Sequence, residues 1–284
     1  MSGRMSIRWT FSFGSWNPTE CQFQLAASCI QEEEKIRIGR FVFKKDAKAS
    51  LAGRLLMRKY VSENSSLPYA DIKFGRDDRG KPFLVGCHEV KPMLNFNVSH
   101  QGNYAVLAGE SGCNVKVGID VMKLEYSGGK TLSEFFRVMT RNFSPLEWET
   151  IRGNSKTSDK QRLAMFCRHW CLKESYVKAT GTGIAVNLQQ INFKIKSSNL
   201  RTGAVVTDTE LFVNGNHLED WSFEESLLDE NHCVAVALSG KGRGSVPVVF
   251  KCLDFSELMN GSKPLLSADP AYSQMFFKKE EKPF

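Results

Sequence analysis

The sequence predicts an α+β fold of two similar lobes. Both halves of the chain place segments with helical apolar spacing first and short alternating segments after them, an order typical of α+β proteins. Turn-forming residues separate the alternating segments, which favours antiparallel pairing. We interpret the repeated order as an ancient duplication, although no internal repeat is visible in the residues themselves. The predicted division is a first lobe at 1–113, a second lobe at 114–240 and a C-terminal tail at 241–284.

The first lobe begins with a strand followed by three helices. Residues 7–13 alternate apolar and polar side chains, which indicates a half-buried strand and argues against a transit peptide. Short helices are expected from Pro18 and from Glu32, where helical spacing resumes. The segment 44–61 collects its apolar residues on one side, so it predicts a long helix with a cationic flank.

Two antiparallel strand pairs complete the first lobe. Residues 71–76 and 81–84 are joined by the turn Asp77-Asp-Arg-Gly80, because aspartate and glycine are typical turn formers. Residues 95–100 and 104–108 form the second pair. The turn between them is expected to expose Ser99 and His100.

The second lobe centres on one long helix. A strand at 115–122 precedes a helix at 131–139, and Ser144-Pro-Leu-Glu147 has the spacing of a capping box. The long helix begins near Asp159 and ends at Gly181, since glycine is a common C-terminal stop. Further strand candidates follow at 191–195, 210–213, 221–224 and 233–238.

Composition limits the classes of function. With 284 residues, of which 42% are hydrophobic, the chain should be globular. Its eight cysteines form no CxxC pair, so we predict neither a disulfide framework nor zinc, and we place the protein in the cytosol. No apolar run is long enough to span a membrane. The net charge of +7 suits a polyanionic ligand or an acidic protein partner. Nucleic acid is not expected, because zinc fingers, RNA-reading aromatic motifs and long basic blocks are absent.

An acid in the long helix lies where an apolar residue is expected. Placing residues 100° apart puts Phe166, Trp170 and Val177 on one apolar stripe, and Glu174 falls within that stripe. Lys178 lies one helical turn further on. The pair is either an ordinary helix ion pair or part of a functional site, and this helix alone leaves both alternatives open.

A second acid interrupts the strand at 115–122. Alternate residues from Val115 to Val121 form one apolar face, whereas Gly118 and Asp120 lie on the other. Gly118 leaves room for a ligand or another backbone to approach. An acid on a solvated face explains Asp120 equally well, unless another feature connects it to Glu174.

Three segments occur in a recognisable order. They are Phe96-Asn-Val-Ser-His100, Val117-Gly-Ile-Asp120 and Trp170-Cys-Leu-Lys-Glu-Ser-Tyr-Val-Lys178. Together they resemble the (F/G)NxSH, (V/I)GxD and WxxKE(S/A)xxK motifs of the larger, two-domain phosphopantetheinyl transferases. Each motif is short, but three in the right order form a strong signal. The resemblance runs from about Trp9 to Leu238, and residues 76–82 resemble the family's GKP turn.

The resemblance implies an activity and its partners. Such an enzyme transfers the 4′-phosphopantetheine arm of coenzyme A to a serine of an apo acyl-carrier or peptidyl-carrier domain, releasing adenosine 3′,5′-bisphosphate. It implies a monomer with coenzyme A and Mg²⁺ in the cleft between its lobes. By motif match Asp120 and Glu174 are the metal ligands. Many bacterial relatives carry a further acid where this chain has Met122, so water or a backbone carbonyl would replace that ligand.

The same resemblance implies roles for individual side chains. Glu174 would accept the serine proton, and Lys178 would offset charge on the leaving phosphate. His100 would donate to phosphate oxygens of coenzyme A, and Asp120 completes the catalytic set. Weaker phosphate-binding candidates are Lys44, Lys45 and Arg54. The implied coenzyme A site comprises Arg37, Arg76, Asp77, Asp78, Arg79, Gly80, Lys81, Asn97, Val98, Ser99, His100, Asp120, Glu174, Ser175 and Lys178.

Two rival functions remain at this point. A non-catalytic protein that binds coenzyme A or docks a carrier could keep the scaffold, but it would be expected to lose Asp120, Glu174 or Lys178, and all three are present. A different Mg²⁺-dependent phosphoryl-transfer enzyme is the second rival. The absence of a GxxxxGK[ST] loop argues against the usual nucleoside-triphosphate type.

Overall fold

The computed structural model divides into two compact units that contain helices and mainly antiparallel strands, and the predicted α+β class is confirmed. The first unit comprises Met1–Asn114 and Phe250–Phe284, and the second comprises Val115–Val249. The predicted lobe boundary at 113/114 lies outside the described residues. The duplication and the cleft stay predictions. The structure describes residues 5–86, 93–111, 115–126, 128–183, 187–240 and 246–281.

The helices and strands of the described residues follow the predicted order, with β9, β12, α7 and α8 as additions that the sequence did not indicate. In chain order they are β1 (Ser6–Ser12), α1 (Glu20–Ser28), α2 (Glu32–Gly39), α3 (Lys44–Asn64), β2 (Phe74–Arg76), β3 (Pro82–Leu84), β4 (Leu94–Gln101), β5 (Tyr104–Ser111), β6 (Val117–Lys123), α4 (Leu132–Val138), α5 (Pro145–Arg152), α6 (Asp159–Thr180), β7 (Ile191–Lys194), β8 (Glu210–Val213), β9 (Asn216–His217), β10 (Trp221–Asp229), β11 (His232–Ser239), β12 (Lys251–Leu253), α7 (Phe255–Met259) and α8 (Pro270–Phe277).

The helix ends of the second unit follow local sequence signals. The predicted capping box at the start of α5 is present, with Ser144 and Glu147 each accepting a backbone N–H of the other. Ser158 and Gln161 make the same reciprocal contacts at the start of α6. Gly181 ends α6 with φ of 68°, in the left-handed region that glycine enters without steric cost.

The first unit is built on a four-stranded sheet in the order β12-β1-β5-β4. Helix α3 packs on β4 and β5, and glycine allows its close approach, because a Cβ on Gly109 would lie 2.3 Å from the Tyr60 ring. The Tyr60 hydroxyl donates to the Glu110 carbonyl at 2.8 Å. The Glu110 carboxylate in turn pairs with buried Arg8 at 2.8 Å. Glu110 therefore connects α3 and β1 to β5, the strand that pairs with β4.

The C-terminal segment belongs to the first unit. Strand β12 pairs in parallel with β1, and the Phe276 ring of α8 stacks on Phe23 at 3.7 Å between centroids. Lys279 donates to the Gly39 carbonyl at 2.9 Å, and Asp269 pairs with Lys35 at 2.8 Å. Residues 250–281 thus hold α2 in place, whereas the sequence predicted only a C-terminal tail without helices or strands. Residues 241–245 lie outside the described residues.

The second unit packs α6 across the antiparallel sheet β10-β11-β6. Two charged residues of α6 are buried in ion pairs: Arg168 binds Glu225 through two contacts of 2.6 and 3.0 Å, and Lys173 lies 2.8 Å from Glu147. Strands β7, β8 and β9 form a further sheet. Across the part of the chain that is described, no helix is both long and apolar enough to cross a membrane.

His169 is completely buried in α6. Its Nδ1 lies 2.9 Å from the Met165 carbonyl, so Nδ1 carries the hydrogen and Nε2 is the unprotonated nitrogen. Nε2 finds no hydrogen-bond partner among the described residues. Burial, together with the charges of Lys173 and Arg168, lowers the pKa of His169 to about 4, although the Met165 contact opposes the shift. The folded protein therefore disfavours protonated His169.

Acid should destabilise the protein through His169. The stabilising contribution of a neutral buried histidine is fully present above the ordinary pKa of 6.5 and is lost as the pH falls toward about 4. Between these values we expect a loss of up to about 3 kcal/mol in the free energy of unfolding. Urea titrations from acid to neutral pH should show a steeper pH dependence for wild type than for His169→Gln. His217→Gln, which removes a partly exposed histidine, should behave as wild type. Equal pH slopes for wild type and His169→Gln would contradict this assignment.

Candidate functional site

Asp120 lies where a strand and a helix approach unusually closely. Gly118 makes this possible, because a Cβ at that position would lie 2.0 Å from the Ser175 carbonyl and 2.5 Å from the Ala179 backbone nitrogen. The space beside Asp120 is therefore taken by the backbone of α6. Two turns of helix are brought against the polar face of β6, and the Cys171 thiol donates to the Asp120 carbonyl at 2.9 Å.

Lys178 pairs with Asp120 across this strand–helix contact. Its Nζ lies 2.6 Å from Asp120 Oδ1 and 3.3 Å from the Ile119 carbonyl. The Asp120 side chain is 9% exposed and the Lys178 side chain 30% exposed. Glu174 and Lys178 therefore do not form a simple helix ion pair, because Lys178 contacts Asp120 of the neighbouring strand β6.

Glu174 is half-buried beside this pair. The structure records no hydrogen bond or ion pair for its carboxylate among the described residues. Burial raises the pKa of Glu174, repulsion from the Asp120 carboxylate raises it further, and the charge of Lys178 opposes both effects. A carboxylate with these neighbours is suited to accept a cation or a proton.

Asp120 and Glu174 suit a divalent cation that takes its remaining ligands from water or a bound substrate. Asp120 and Glu174 are close enough for their charges to repel, and both provide the hard oxygen atoms that Mg²⁺ prefers. Met122 packs against the apolar core of its unit and adds no such ligand. No cluster of three or more His, Cys, Asp or Glu side chains capable of holding a metal occurs within the described ranges. Two carboxylates suffice only if ligand oxygens or water complete the coordination.

In the first unit, three arginines converge on a single buried acid. Glu34 of α2 is 7% exposed, and its carboxylate contacts Arg37 at 2.8 Å, Arg76 at 3.0 Å and Arg54 at 3.4 Å. Burial opposes the ionisation of Glu34, but the charges of these arginines hold its pKa below the ordinary value. The cluster carries a net positive charge, and guanidinium groups bind phosphate with two parallel hydrogen bonds. It is a candidate anion site.

The predicted turn before β3 holds Arg76 in place. The Asp77 carboxylate accepts backbone N–H groups from Arg79 at 3.0 Å and Lys81 at 2.8 Å. Gly80 adopts φ of 79°, and its carbonyl accepts a hydrogen bond from Arg76 at 3.0 Å. The turn thus fixes Arg76 from one side while Glu34 fixes it from the other. Asp78 lies at the exposed tip of this turn.

The other predicted site residues occupy different surroundings. On β4, His100 is exposed near the end of the strand, as predicted, but the prediction that Ser99 is exposed is wrong. Ser99 and Asn97 are both buried. Val98 packs against α3, where a Cβ on Gly53 would lie 3.5 Å from it. Ser175 is fully buried and donates its hydroxyl to the Leu172 carbonyl at 2.8 Å. The hydroxyl of Ser175 is therefore committed to its own helix, which does not favour the predicted ligand contact.

Sequence reasoning missed two residues that support these clusters. Glu34 was one of three consecutive acids without a distinguishing local signal, and its position opposite the arginines depends on contacts distant in the chain. Lys173 was treated only as part of a motif. In the structure Lys173 is buried, pairs with Glu147 of α5 and donates to the Leu188 carbonyl at 2.7 Å, so it connects α6 to α5 and to the segment before β7.

Comparisons with known proteins identify the family of this chain. Residues 14–112 match the family model described as "4′-phosphopantetheinyl transferase, N-terminal", and residues 116–237 match the model of the 4′-phosphopantetheinyl transferase superfamily. The chain belongs to the 4′-phosphopantetheinyl transferase superfamily and is a transferase. The resemblance inferred from the three motifs is confirmed.

Curated relatives extend over almost the whole chain. The L-aminoadipate-semialdehyde dehydrogenase-phosphopantetheinyl transferase of Xenopus laevis is 44% identical over 289 residues, covering 98% of this chain and 94% of the relative. The human protein of the same name is 43% identical, covering 98% of this chain and 93% of the relative. The 4′-phosphopantetheinyl transferase HetI of Nostoc sp. is 31% identical, covering 78% of this chain and 84% of the relative.

Proposed function

We propose that this transferase moves the phosphopantetheine arm of coenzyme A to a serine hydroxyl of apo acyl-carrier or peptidyl-carrier domains, in a Mg²⁺-dependent reaction that releases adenosine 3′,5′-bisphosphate. The observation that carries the proposal is the Asp120–Lys178–Glu174 cluster, in which two acids and one cation meet where Gly118 lets α6 contact β6. The superfamily membership supplies the reaction class.

The proposed step is a phosphoryl transfer. The serine oxygen of the carrier forms a bond to the β-phosphorus of coenzyme A, and the bond from that phosphorus to the bridging oxygen breaks. Glu174 accepts the serine proton, directly or through water, because burial and the Asp120 charge raise its pKa and its carboxylate has no partner among the residues that the structure describes. The leaving group is the 5′-phosphate of adenosine 3′,5′-bisphosphate.

The remaining groups of the cluster stabilise charge. Lys178 lies where it can exchange its contact with Asp120 for an oxygen of the leaving phosphate. Asp120 and Glu174 would hold Mg²⁺, which when bound neutralises pyrophosphate charge and orients the phosphorus for attack. Asp120 is nearly buried, so its position relative to α6 is fixed by packing.

The arginine cluster of the first unit suits the adenosine 3′-phosphate. Arg37 and Arg76 are each about one-third exposed, with side-chain exposures of 36% and 35%, so part of each guanidinium is available to a ligand. Arg54 is more deeply buried, and burial lowers its pKa to about 10. We assign direct phosphate contact to Arg37 and Arg76, whereas the buried Arg54 adds positive charge to the cluster without contacting the phosphate.

Alanine variants should locate the 3′-phosphate. Arg37→Ala and His100→Ala are expected to weaken binding of coenzyme A more than binding of dephospho-coenzyme A if the replaced side chain contacts that phosphate. A lost charged hydrogen bond is worth about 1.5–3 kcal/mol. Calorimetry with both ligands measures the difference, and Arg40→Ala, an exposed arginine after α2, is the matched control. Equal losses for the two ligands would place the residue elsewhere on coenzyme A.

The proposed partner is a carrier domain with an acidic surface, attracted by the net charge of +7. We also propose that the protein acts in the cytosol as a monomer. Incubation with coenzyme A, Mg²⁺ and an apo carrier domain, followed by intact mass measurement of the carrier, tests the function. A non-catalytic binder would leave the carrier unchanged, and a different phosphoryl-transfer enzyme would add a group of different mass.

A further inference from the structure

The Asp120 carboxylate is already paired with the positively charged side chain of Lys178. Lys178 Nζ lies 2.6 Å from Asp120 Oδ1, a short charge-assisted contact made where the carboxylate is only 9% exposed. The same ammonium contacts the Ile119 carbonyl at 3.3 Å, so two acceptors of β6 hold it. Glu174 has no such partner recorded among the described residues.

A divalent cation at Asp120 would have to occupy nearly the same place. Mg²⁺ binds carboxylate oxygens at about 2.0–2.1 Å, so an ion on Oδ1 would lie within a few ångströms of Nζ. Repulsion between a single and a double positive charge at such a distance is large in a partly buried setting. Lys178 must therefore leave Asp120, or the cation must bind weakly.

Lys178 has the properties that such a movement requires. Its side chain is 30% exposed, and lysine carries its charge on a flexible four-carbon stem. Its backbone, in contrast, is fixed in the last turns of α6 before Gly181. An anionic pyrophosphate near the two acids would offer the ammonium a more highly charged partner than a single carboxylate.

We propose that Lys178 closes the Asp120–Glu174 site to divalent cations until the pyrophosphate of coenzyme A draws the lysine away from Asp120. Metal binding is then conditional on the ligand, and the metal and coenzyme A bind cooperatively. Thermodynamic linkage requires that each increases the affinity of the other by the same factor. This inference rests on the proposed function, because it takes coenzyme A as the anion.

The consequence is a site that rejects free metal. A dicarboxylate without Lys178 would bind Mg²⁺ or Mn²⁺ in the absence of any nucleotide, and the bound ion would then hold Glu174 before a substrate arrived. With Lys178 in place, the two carboxylates take up the ion only together with coenzyme A, whose pyrophosphate supplies further oxygen ligands. Lys178 thus makes metal binding depend on coenzyme A, in addition to its proposed role beside the leaving phosphate.

Direct metal titration tests this inference. Mn²⁺ binding is followed by electron paramagnetic resonance of the free ion, without carrier and therefore without turnover. In the absence of coenzyme A, Lys178→Met should bind Mn²⁺ roughly tenfold or more tightly than wild type, within the usual range of coupling between sites. Lys178→Arg, which keeps the charge, should remain weak like wild type. Addition of coenzyme A should tighten Mn²⁺ binding strongly for wild type and much less for Lys178→Met.

The controls separate local from general effects. Lys160→Met removes an exposed positive charge near the other end of α6 and should leave Mn²⁺ affinity unchanged. Circular dichroism verifies folding, and Lys178→Gln replaces Lys178→Met if the latter unfolds. Equal Mn²⁺ affinity of wild type and the neutral variants without coenzyme A would overturn the inference. Failure of wild type to bind coenzyme A would instead reject the proposed function, whatever the Lys178 result.

Discussion

Asp120→Ala is expected to abolish phosphopantetheine transfer at ordinary Mg²⁺ concentrations. The substitution removes one of only two proposed side-chain ligands, and Met122 cannot compensate because its side chain has no oxygen and packs against the apolar core. It also leaves Lys178 without the carboxylate that it contacts at 2.6 Å. Turnover measured across a Mg²⁺ titration should remain near zero, with at most partial recovery at high metal concentration.

Two further variants make the Asp120 result interpretable. Asp120→Asn keeps the size of the side chain and should also be inactive, because the amide lacks the negative charge that holds a divalent cation. Asp220→Ala removes an exposed acid of the same unit and should retain wild-type turnover. Near-normal activity of Asp120→Ala at ordinary Mg²⁺ would remove Asp120 from the metal site.

Glu174→Gln is expected to reduce turnover by roughly 10²-fold or more, the usual scale for the loss of a general base. The protein should remain folded, because the structure records no hydrogen bond or ion pair of the Glu174 carboxylate in the described part of the chain. Its pKa is raised in the folded protein, so above that pKa the ionised form costs folding free energy. The neutral amide should therefore leave thermal stability equal to or slightly above that of wild type.

Single-turnover mass spectrometry with saturating coenzyme A and apo carrier measures this rate, while circular dichroism monitors folding. Glu149→Gln, an exposed acid on α5, is the matched control and should transfer at the wild-type rate. A folded Glu174→Gln protein that modifies the carrier within about threefold of wild type would contradict the assignment of Glu174 as base, since a missing base costs far more.

Local chemistry made much of the site predictable. The capping box at Ser144 and the stop at Gly181 depend on neighbouring residues, so α5 and the end of α6 could be placed from the sequence. Gly118 beside Asp120 indicated a close approach, and the structure identifies the approaching group as the backbone of α6. That contact is what connects the strand acid to the helix.

The motifs placed distant acids in one site, but spacing along the chain did not predict which side chains pair directly. Lys178 was expected to share a site with Glu174, four residues away, but its recorded partner is Asp120, which lies 58 residues earlier. Glu34 collects Arg54 and Arg76 through folding of the whole first unit. Charge and spacing along the chain do not encode such pairs, because they follow from helix and strand packing.

The C-terminal segment illustrates the same limit. Residues 250–281 contain only short elements, and a three-residue strand such as β12 has no reliable periodicity. Its order comes from partners more than 200 residues earlier, such as Gly39 for Lys279 and Lys35 for Asp269. These contacts hold α2, which carries Glu34 and Arg37, so the segment has a structural connection to the candidate anion site.

The intact mass of an apo carrier domain after reaction tests the central claim most directly. With wild-type protein, coenzyme A and Mg²⁺, the carrier should gain the mass of one phosphopantetheine group, and an equal amount of adenosine 3′,5′-bisphosphate should appear. A carrier whose acceptor serine is replaced by alanine should gain nothing, and neither should the normal carrier incubated with Asp120→Ala. An unmodified carrier with folded wild-type protein, tested across several carrier domains, would contradict the proposed function.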